Sequence, residues 1–311
     1  MNNDDDIAKE LLRATQKGDL KNLKIIINNY DIKDWTKYRQ NNFDDTALHV
    51  ASREGHFEIV KYLCNEWSHP AFKVDVTNKD MKRPLHEAAQ FSKSNIVEFL
   101  IKQGATVDVL KRADWTPLML ACTKDGTDAL NCVKILLDAK ADVKIKNKDG
   151  WNALLIACRT GDIDIIKLLI KTMPESIKTT SKNGRTALHI LAYHGCSEAI
   201  DYLLLLEPKL LEITDSSGST PLHESVKSLN FEIFKKLIKH GADFKITNCV
   251  GQNILHIAVV VCNIQVIDYI LSNCLIDLHI CDNYGTNPLA LAQRYQLNNV
   301  IDLLIKYDTS A

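Results

Sequence analysis

An all-α repeat solenoid is the fold class this sequence predicts. Three observations predict it: a recurring tetrapeptide, a near-constant period, and two helical patterns inside each period. The tetrapeptide begins as Thr46-Ala47-Leu48-His49, Arg83-Pro84-Leu85-His86, Thr116-Pro117-Leu118-Met119 and Asn152-Ala153-Leu154-Leu155. It continues as Thr186-Ala187-Leu188-His189, Thr220-Pro221-Leu222-His223, Asn253-Ile254-Leu255-His256 and Asn287-Pro288-Leu289-Ala290. The fourth positions, 49, 86, 119, 155, 189, 223, 256 and 290, are separated by 37, 33, 36, 34, 34, 33 and 34 residues. A period of that length marks stacked supersecondary units, none of which can bury its apolar face alone.

Each element of the unit has a local cause. Thr116 and Thr220 are good N-caps, and proline suits the first helical position behind them. The first helix carries alanine where it must pack closely, at Ala51, Ala88, Ala121, Ala157, Ala192 and Ala258. Gly55-His56 and Gly161-Asp162 read as the turn to a second helix. That helix has an apolar stripe such as Ile59, Val60 and Leu63, or Ile165, Ile166, Leu168 and Leu169. Gly104 and Gly241 mark helix ends, and a hairpin such as 143–150 leads to the next copy. Before the first copy, Gly18-Asp19 with Leu23, Ile26 and Ile27 reads as a capping half-repeat. At the other end, Val300, Leu303 and Leu304 close the stack. The expectation is one elongated, curved domain over 1–311, with a cap repeat at 5–40, eight repeats over 43–305 and no internal boundary.

Composition narrows the function classes. The 311 residues are 46% hydrophobic and 25% charged, which is ordinary soluble composition. Basic and acidic side chains, 38 against 39, nearly cancel, which argues against general nucleic-acid binding. Only 12 glycines and 7 prolines leave little room for long disordered linkers. Nine cysteines, an odd count without a Cys-x-x-Cys, fit a reducing compartment better than a disulfide framework or zinc knuckle. The acidic start, Met1 to Asp6, has no signal-peptide pattern, and the apolar run at 254–261 is far too short to span a bilayer. The expectation is a monomeric protein of the cytoplasm, with the nucleus left open, and no membrane contact.

Several residues invite a chemical reading. His49, His86, His189, His223 and His256 share one repeat slot, so neighbours lie about 10 Å apart, a packed-helix spacing. Zinc ligands must converge to about 2.0–2.1 Å from one ion. The slot therefore reads as imidazoles that hydrogen-bond near their own turns, with no metal. Cys122 and Cys158 read as small core residues. Phosphate-binding glycine loops, His-Glu-x-x-His and convergent Ser/His/Asp or Cys/His sets are absent from the sequence. Neither an enzyme nor a cofactor is expected.

The eight copies and their spacing identify the pattern as similar to the ankyrin repeat. That resemblance implies helix–turn–helix units joined by hairpin loops, and a target-facing residue just before each tetrapeptide. Here that series is Asp45, Lys82, Trp115, Trp151, Arg185, Ser219, Gln252 and Thr286. Two successive tryptophans flanked by Lys82 and Arg185 make a candidate partner-binding patch, since Trp and Arg are common interface anchors. The alternative is that the rings only stiffen the array. A second, basic series runs Lys79, Arg112, Lys148 and Lys182, with Lys111, Lys144, Lys146 and Lys178 close by. It suits an acidic partner surface, phosphate, or merely a solvated face.

Three segments carry a narrower resemblance: 82–89 (Lys82-Arg83-Pro84-Leu85-His86-Glu87-Ala88-Ala89), 113–123 around Trp115, and 146–152 around Trp151. They resemble the ankyrin-repeat cofactors of alanyl-tRNA synthetase, strongly over 75–195 and weakly beyond 210. The resemblance implies binding to the synthetase catalytic domain and capture of misactivated serine on lysines, which limits mischarging. Slot by slot, the acceptor lysines fall on Lys148 and Lys178. A third falls on Arg112, which cannot be an amine nucleophile; Lys111, one residue away, is a doubtful substitute. At the ordinary lysine pKa of about 10.4, only a few amines in ten thousand are neutral at pH 7. Docking can offset this through effective molarities of about 10⁵ M or more. The other readings are an ankyrin adaptor for a different protein, an RNA-binding basic groove, and an enzyme with an unrecognised site.

Overall fold

Helix pairs recur at the spacing of the tetrapeptide. The structure is a computed structural model that describes residues 3–39, 42–65 and 74–308. The eight pairs start with helices at Ala47–Glu54, Pro84–Gln90, Pro117–Ala121, Ala153–Thr160, Ala187–His194, Pro221–Lys227, Ile254–Val260 and Pro288–Arg294. The second helices include Phe57–Asn65, Gly126–Asp138, Ser197–Leu206 and Asn298–Asp308. The described residues hold no β-strand, and the fold is an all-α solenoid of ankyrin-type repeats. The expected capping half-repeat carries both helices of the pair, Asn3–Gln16 and Leu20–Asn29, with Asp19 capping the second at 3.0 Å from the Asn22 amide. No helix among the described residues is long and apolar enough to cross a membrane.

The described residues fall into two compact units, Met1–Ala157 with Lys167–Met173, and Cys158–Ile166 with Pro174–Ala311. Both are built on the same local rules. Thr116 Oγ1 accepts from the Met119 amide at 3.2 Å, and Asn253 and Asn287 side chains do the same for their helices. Proline stands at the first position of the helices at 84, 117, 221 and 288. Gly55 and Gly195 close first helices at φ of 88° and 81°, which glycine adopts without steric cost. Ala51, Ala88, Ala121, Ala157, Ala192 and Ala258 are all fully buried, which lets helices approach closely. Leu48, Leu63, Leu100 and Leu136 in the first unit, and Leu188, Leu203 and Leu237 in the second, have no exposed surface. Each such burial contributes about 1.5–3 kcal/mol, set against the chain entropy that folding removes.

The hairpins carry no ladder, but within each unit successive hairpins are tied by one backbone bond donated to the hairpin before. In the first unit these run from Lys79 N to Phe43 O, Arg112 N to Asp80 O and Lys148 N to Ala113 O, at 2.8, 2.9 and 3.1 Å. In the second they run from Ser216 N to Asn183 O, Cys249 N to Ser217 O and Asn283 N to Val250 O, at 2.9, 2.9 and 3.0 Å. Side chains at the tips are thereby presented in a regular row within each unit.

Candidate functional site

The slot histidines act as structural links between repeats. His49 Nδ1 receives the Thr46 amide of its own turn at 3.3 Å, while Nε2 bonds the Lys82 carbonyl of the next hairpin at 3.0 Å. An Nδ1 that accepts leaves the proton on Nε2, so the ring donates across the repeat boundary. His86 links Arg83 to the Trp115 carbonyl, His189 links Thr186 to Ser219, and His256 links Asn253 to Thr286. His223 Nδ1 receives the Thr220 amide at 3.1 Å, but Nε2 faces the Gln252 carbonyl without closing a bond of normal geometry. Burial holds all five rings neutral, with His86 pushed down to about 3 and His223 to about 4. The expected bond to the histidine's own turn is present; the bond to the following repeat was not foreseen. Cys122 and Cys158 are buried in the core. No group of three or more His, Cys, Asp or Glu among the described residues is arranged to hold a metal ion.

The proposed patch residues divide into two kinds. Lys82 and Arg185 are engaged inside their own units. Lys82 Nζ lies 3.1 Å from Glu87 Oε1 and donates to Gln90 Oε1 at 2.8 Å. Glu87, itself buried, also receives Arg53 at 3.2 Å, and Arg53 reaches the buried Asp45, which Asn78 holds at 2.7 Å. Arg185 pairs with the buried Glu224 and lies 3.8 Å from Asp215, while Lys227 sits 2.8 Å from Glu224. Both hubs follow from one sequence signal that was overlooked: only two tetrapeptides, His86-Glu87 and His223-Glu224, are followed by a carboxylate. A buried carboxylate at that position needs cations, and the neighbouring tips supply them.

The tryptophans behave differently. Trp115 and Trp151 are half-buried at successive tips of the first unit, and each backbone is tied into its own hairpin. Lys111 N donates to the Trp115 carbonyl and Asn147 N to the Trp151 carbonyl, at 3.0 and 2.9 Å. The Lys111 ammonium lies 5.7 Å from the centre of the Trp115 ring. Two partly buried indoles in a row leave part of their apolar surface for a partner to cover.

The basic series is partly neutralised. Lys79 lies 3.2 Å from Asp44 and Arg112 lies 3.5 Å from Asp80. Lys148 is exposed and makes no ion pair among the described residues. Lys178, in the second unit, is 73% exposed with Glu207 at 3.7 Å. The Lys111 amine is held below the ordinary lysine range by partial burial, with repulsion from Lys82 next. Of the sequence-based candidates, the first unit brings together Lys82, Lys111, Trp115, Trp151 and Lys148; Arg185 and Lys178 belong to the second.

Comparison with known proteins gives the same architecture. The family described as ankyrin repeats (three copies) matches residues 11–111, 70–147, 104–177, 173–248 and 230–311. Among curated proteins, the chain is 32% identical over 103 residues to alpha-latroinsectotoxin-Lt1a of Latrodectus tredecimguttatus, which is 32% of this chain. It is 28% identical over 117 residues to transient receptor potential cation channel subfamily A member 1 of Drosophila melanogaster, or 36% of this chain. The match spans only 7% of the toxin and 9% of the channel. Among solved structures, the ankyrin repeat domain of Bcl-3 superposes with a TM-score of 0.57 at 26% identity, covering 72% of this chain and all of that one.

Proposed function

Since the chain belongs to the ankyrin-repeat family, we propose that it is a non-catalytic protein-binding scaffold whose working surface is the hairpin row of repeats two to four. The carrying observation is the pair of half-buried indoles, Trp115 and Trp151, on successive tips of one unit. Scaffold duties explain the histidines and the two carboxylate hubs and leave the choice of tryptophan at these two tips unexplained. Lys82 supports the surface by neutralising Glu87 beneath it.

The finer reading is that the partner is the catalytic domain of alanyl-tRNA synthetase. It rests on the resemblance of 82–89, 113–123 and 146–152 to ankyrin repeat domain-containing protein 16. In that reading a neutral lysine amine attacks the carbonyl carbon of seryl-adenylate. An amide forms, AMP leaves with the bonding electron pair, and the ammonium proton passes to water. Lys148, exposed and without an ion pair, is the better-placed acceptor; Lys178 must first leave Glu207. Binding of the folded chain to immobilised synthetase, weakened about tenfold or more by Trp115→Ala with Trp151→Ala, is the expected outcome. Absence of binding by intact protein ends this reading. Unchanged serine misincorporation after Lys148→Arg with Lys178→Arg removes the capture step alone.

The second reading is an ankyrin adaptor for another protein. Arg112, standing where the resemblance calls for a lysine, favours it. Retained synthetase binding by the double tryptophan variant, with loss of a different partner, selects this reading.

A further inference from the structure

The hairpin of the third repeat is built differently from its neighbours, at one residue. Eight positions before the end of each tetrapeptide stand Asn78, Lys111, Asn147, Ser181, Asp215, Asn248 and Asp282. All but one have a short polar side chain whose oxygen closes the hairpin. Asn78 Oδ1 accepts from the Asp80 and Lys82 amides, both at 2.9 Å. Asn147 Oδ1 accepts from Asp149 and Trp151 at 3.0 and 2.9 Å. Asp215, Asn248 and Asp282 repeat that pair of bonds, and Ser181 makes the second of them. A lysine has no acceptor, so the third hairpin loses both bonds.

The backbone registers the loss. In the six hairpins closed by such an acceptor one tip residue takes positive φ: Met81, Gly150, Gly184, Gly218, Gly251 or Gly285. In the third, Ala113 and Asp114 both do, at 66° and 63°. Alanine is poorly suited to that region. A local rule kept in six hairpins is broken in one, at a cost the interior does not recover, which is the signature of a residue serving something outside the fold.

Charge says what that is. The Lys111 ammonium is half-buried over the Trp115 ring and has no ion pair among the described residues. The charged groups facing it are Lys82, Asp80 and Glu87. Both carboxylates are already engaged, Glu87 by Lys82 and Arg53, and Asp80 by Arg112. A partly dehydrated cation beside a partly buried aromatic ring is therefore left without an anion.

Resting on the binding-surface reading above, we propose that the Lys111 hairpin is a docking seat for a carboxylate of an extended partner segment. The same segment places an aromatic or large aliphatic side chain against Trp151. Adjacent tips are about 10 Å apart, and a polyproline-II segment advances about 3.1 Å per residue with three residues per turn, so every third side chain faces the same way. The acid and the apolar residue then stand three positions apart, as Asp/Glu-x-x-Trp/Phe/Leu/Met in either direction. The carboxylate accepts a charge-assisted bond from Nζ in a site already partly dehydrated.

The test selects a phage-displayed random peptide library on the intact 311-residue chain, then measures synthetic peptides of the enriched sequences by fluorescence anisotropy. Enriched peptides are expected to carry the spaced acid and apolar pair, and to bind more weakly as salt rises. Lys111→Asn restores the hairpin-closing side chain, so it should raise the melting temperature by about a few degrees. It should also weaken the peptides about tenfold or more. Lys111→Arg keeps the charge and should stay within about threefold. If Lys111→Asn folds poorly, Lys111→Gln gives the same binding readout. Peptides without an acid, unchanged affinity in Lys111→Asn or Lys111→Gln, or no enrichment at all would each overturn the seat. Peptides that need Trp115 and Trp151 but neither an acid nor Lys111 remove the seat and leave the surface reading standing. Peptides indifferent to all three side chains remove both.

Discussion

In repeats five to seven the slot holds His189, His223 and His256, and every hairpin tip turns on a glycine. In repeats three and four the slot holds Met119 and Leu155, and the tips carry Trp115 and Trp151. The first group spends its polar groups internally: imidazoles bridge successive repeats, and Glu224 gathers Arg185 and Lys227. The second gives up the imidazole link and one hairpin closure, and shows aromatic and cationic side chains at its edge. Regularity marks scaffold, and departure from regularity marks the surface where something else binds.

Acid should separate the two groups most strongly. The buried histidines are neutral in the fold, with pKa values lowered from an unfolded value of about 6.5. The unfolded chain therefore binds more protons. Stability is complete above pH 6.5 and falls as pH drops; for His223 the fall runs to about pH 4, at about 1.4 kcal/mol per pH unit, and His189 and His256 act in the same direction. Hydrogen exchange, corrected for intrinsic rates, should show Ala187–His194, Pro221–Lys227 and Ile254–Val260 losing protection between pH 7 and 5 before Pro117–Ala121 does. Uniform loss would erase the distinction. Met119→His should sharpen it: beside Thr116, the new imidazole carries acid sensitivity into a repeat that lacks it.

Next in size is the carboxylate hub. Glu224→Ala leaves Lys227 without its anion and Arg185 with Asp215 alone, 3.8 Å away, and should cost about 2–4 kcal/mol. The lower figure is favoured because the cations are 35% and 30% exposed and can turn to water. Urea unfolding measures it, and a change below 1 kcal/mol would reduce the hub to a surface ion pair. His189→Ala should follow at about 2 kcal/mol, since it strips a partner from the buried Ser219 carbonyl.

The fold was legible because period, caps and small packing residues all sit in the local sequence: Thr116 before Pro117, Gly55 after Glu54, Ala88 between His86 and Lys93. The site was legible only in part. Trp115 and Trp151 stood out as large residues in a slot otherwise polar. That Lys82 and Arg185 turn inward could not be read from their own positions, because the cause lies in Glu87 and Glu224 on a neighbouring helix face. Lys111 was noticed for its amine, whereas its meaning comes from aligning the hairpins and finding the one without an acceptor. Pairings between repeats belong to the stack, and a single repeat's sequence does not contain them.

The smallest stability effect carries the most functional weight. The Trp115 and Trp151 side chains are partly buried, so each truncation to alanine forfeits the buried part of its area and, for Trp115, the contact with Lys111. About 1–2 kcal/mol of stability per ring is expected, below the 3–5 kcal/mol typical of a fully buried tryptophan. Partner affinity should fall by about 2 kcal/mol or more for at least one of them. A calorimetric melt beside a binding titration on the same samples gives both numbers. Rings that merely stiffened the array would give the reverse, a large loss of stability with binding per folded molecule unchanged. The ratio of the two effects, more than either alone, decides whether the third and fourth repeats depart from the pattern to meet a partner or to support themselves.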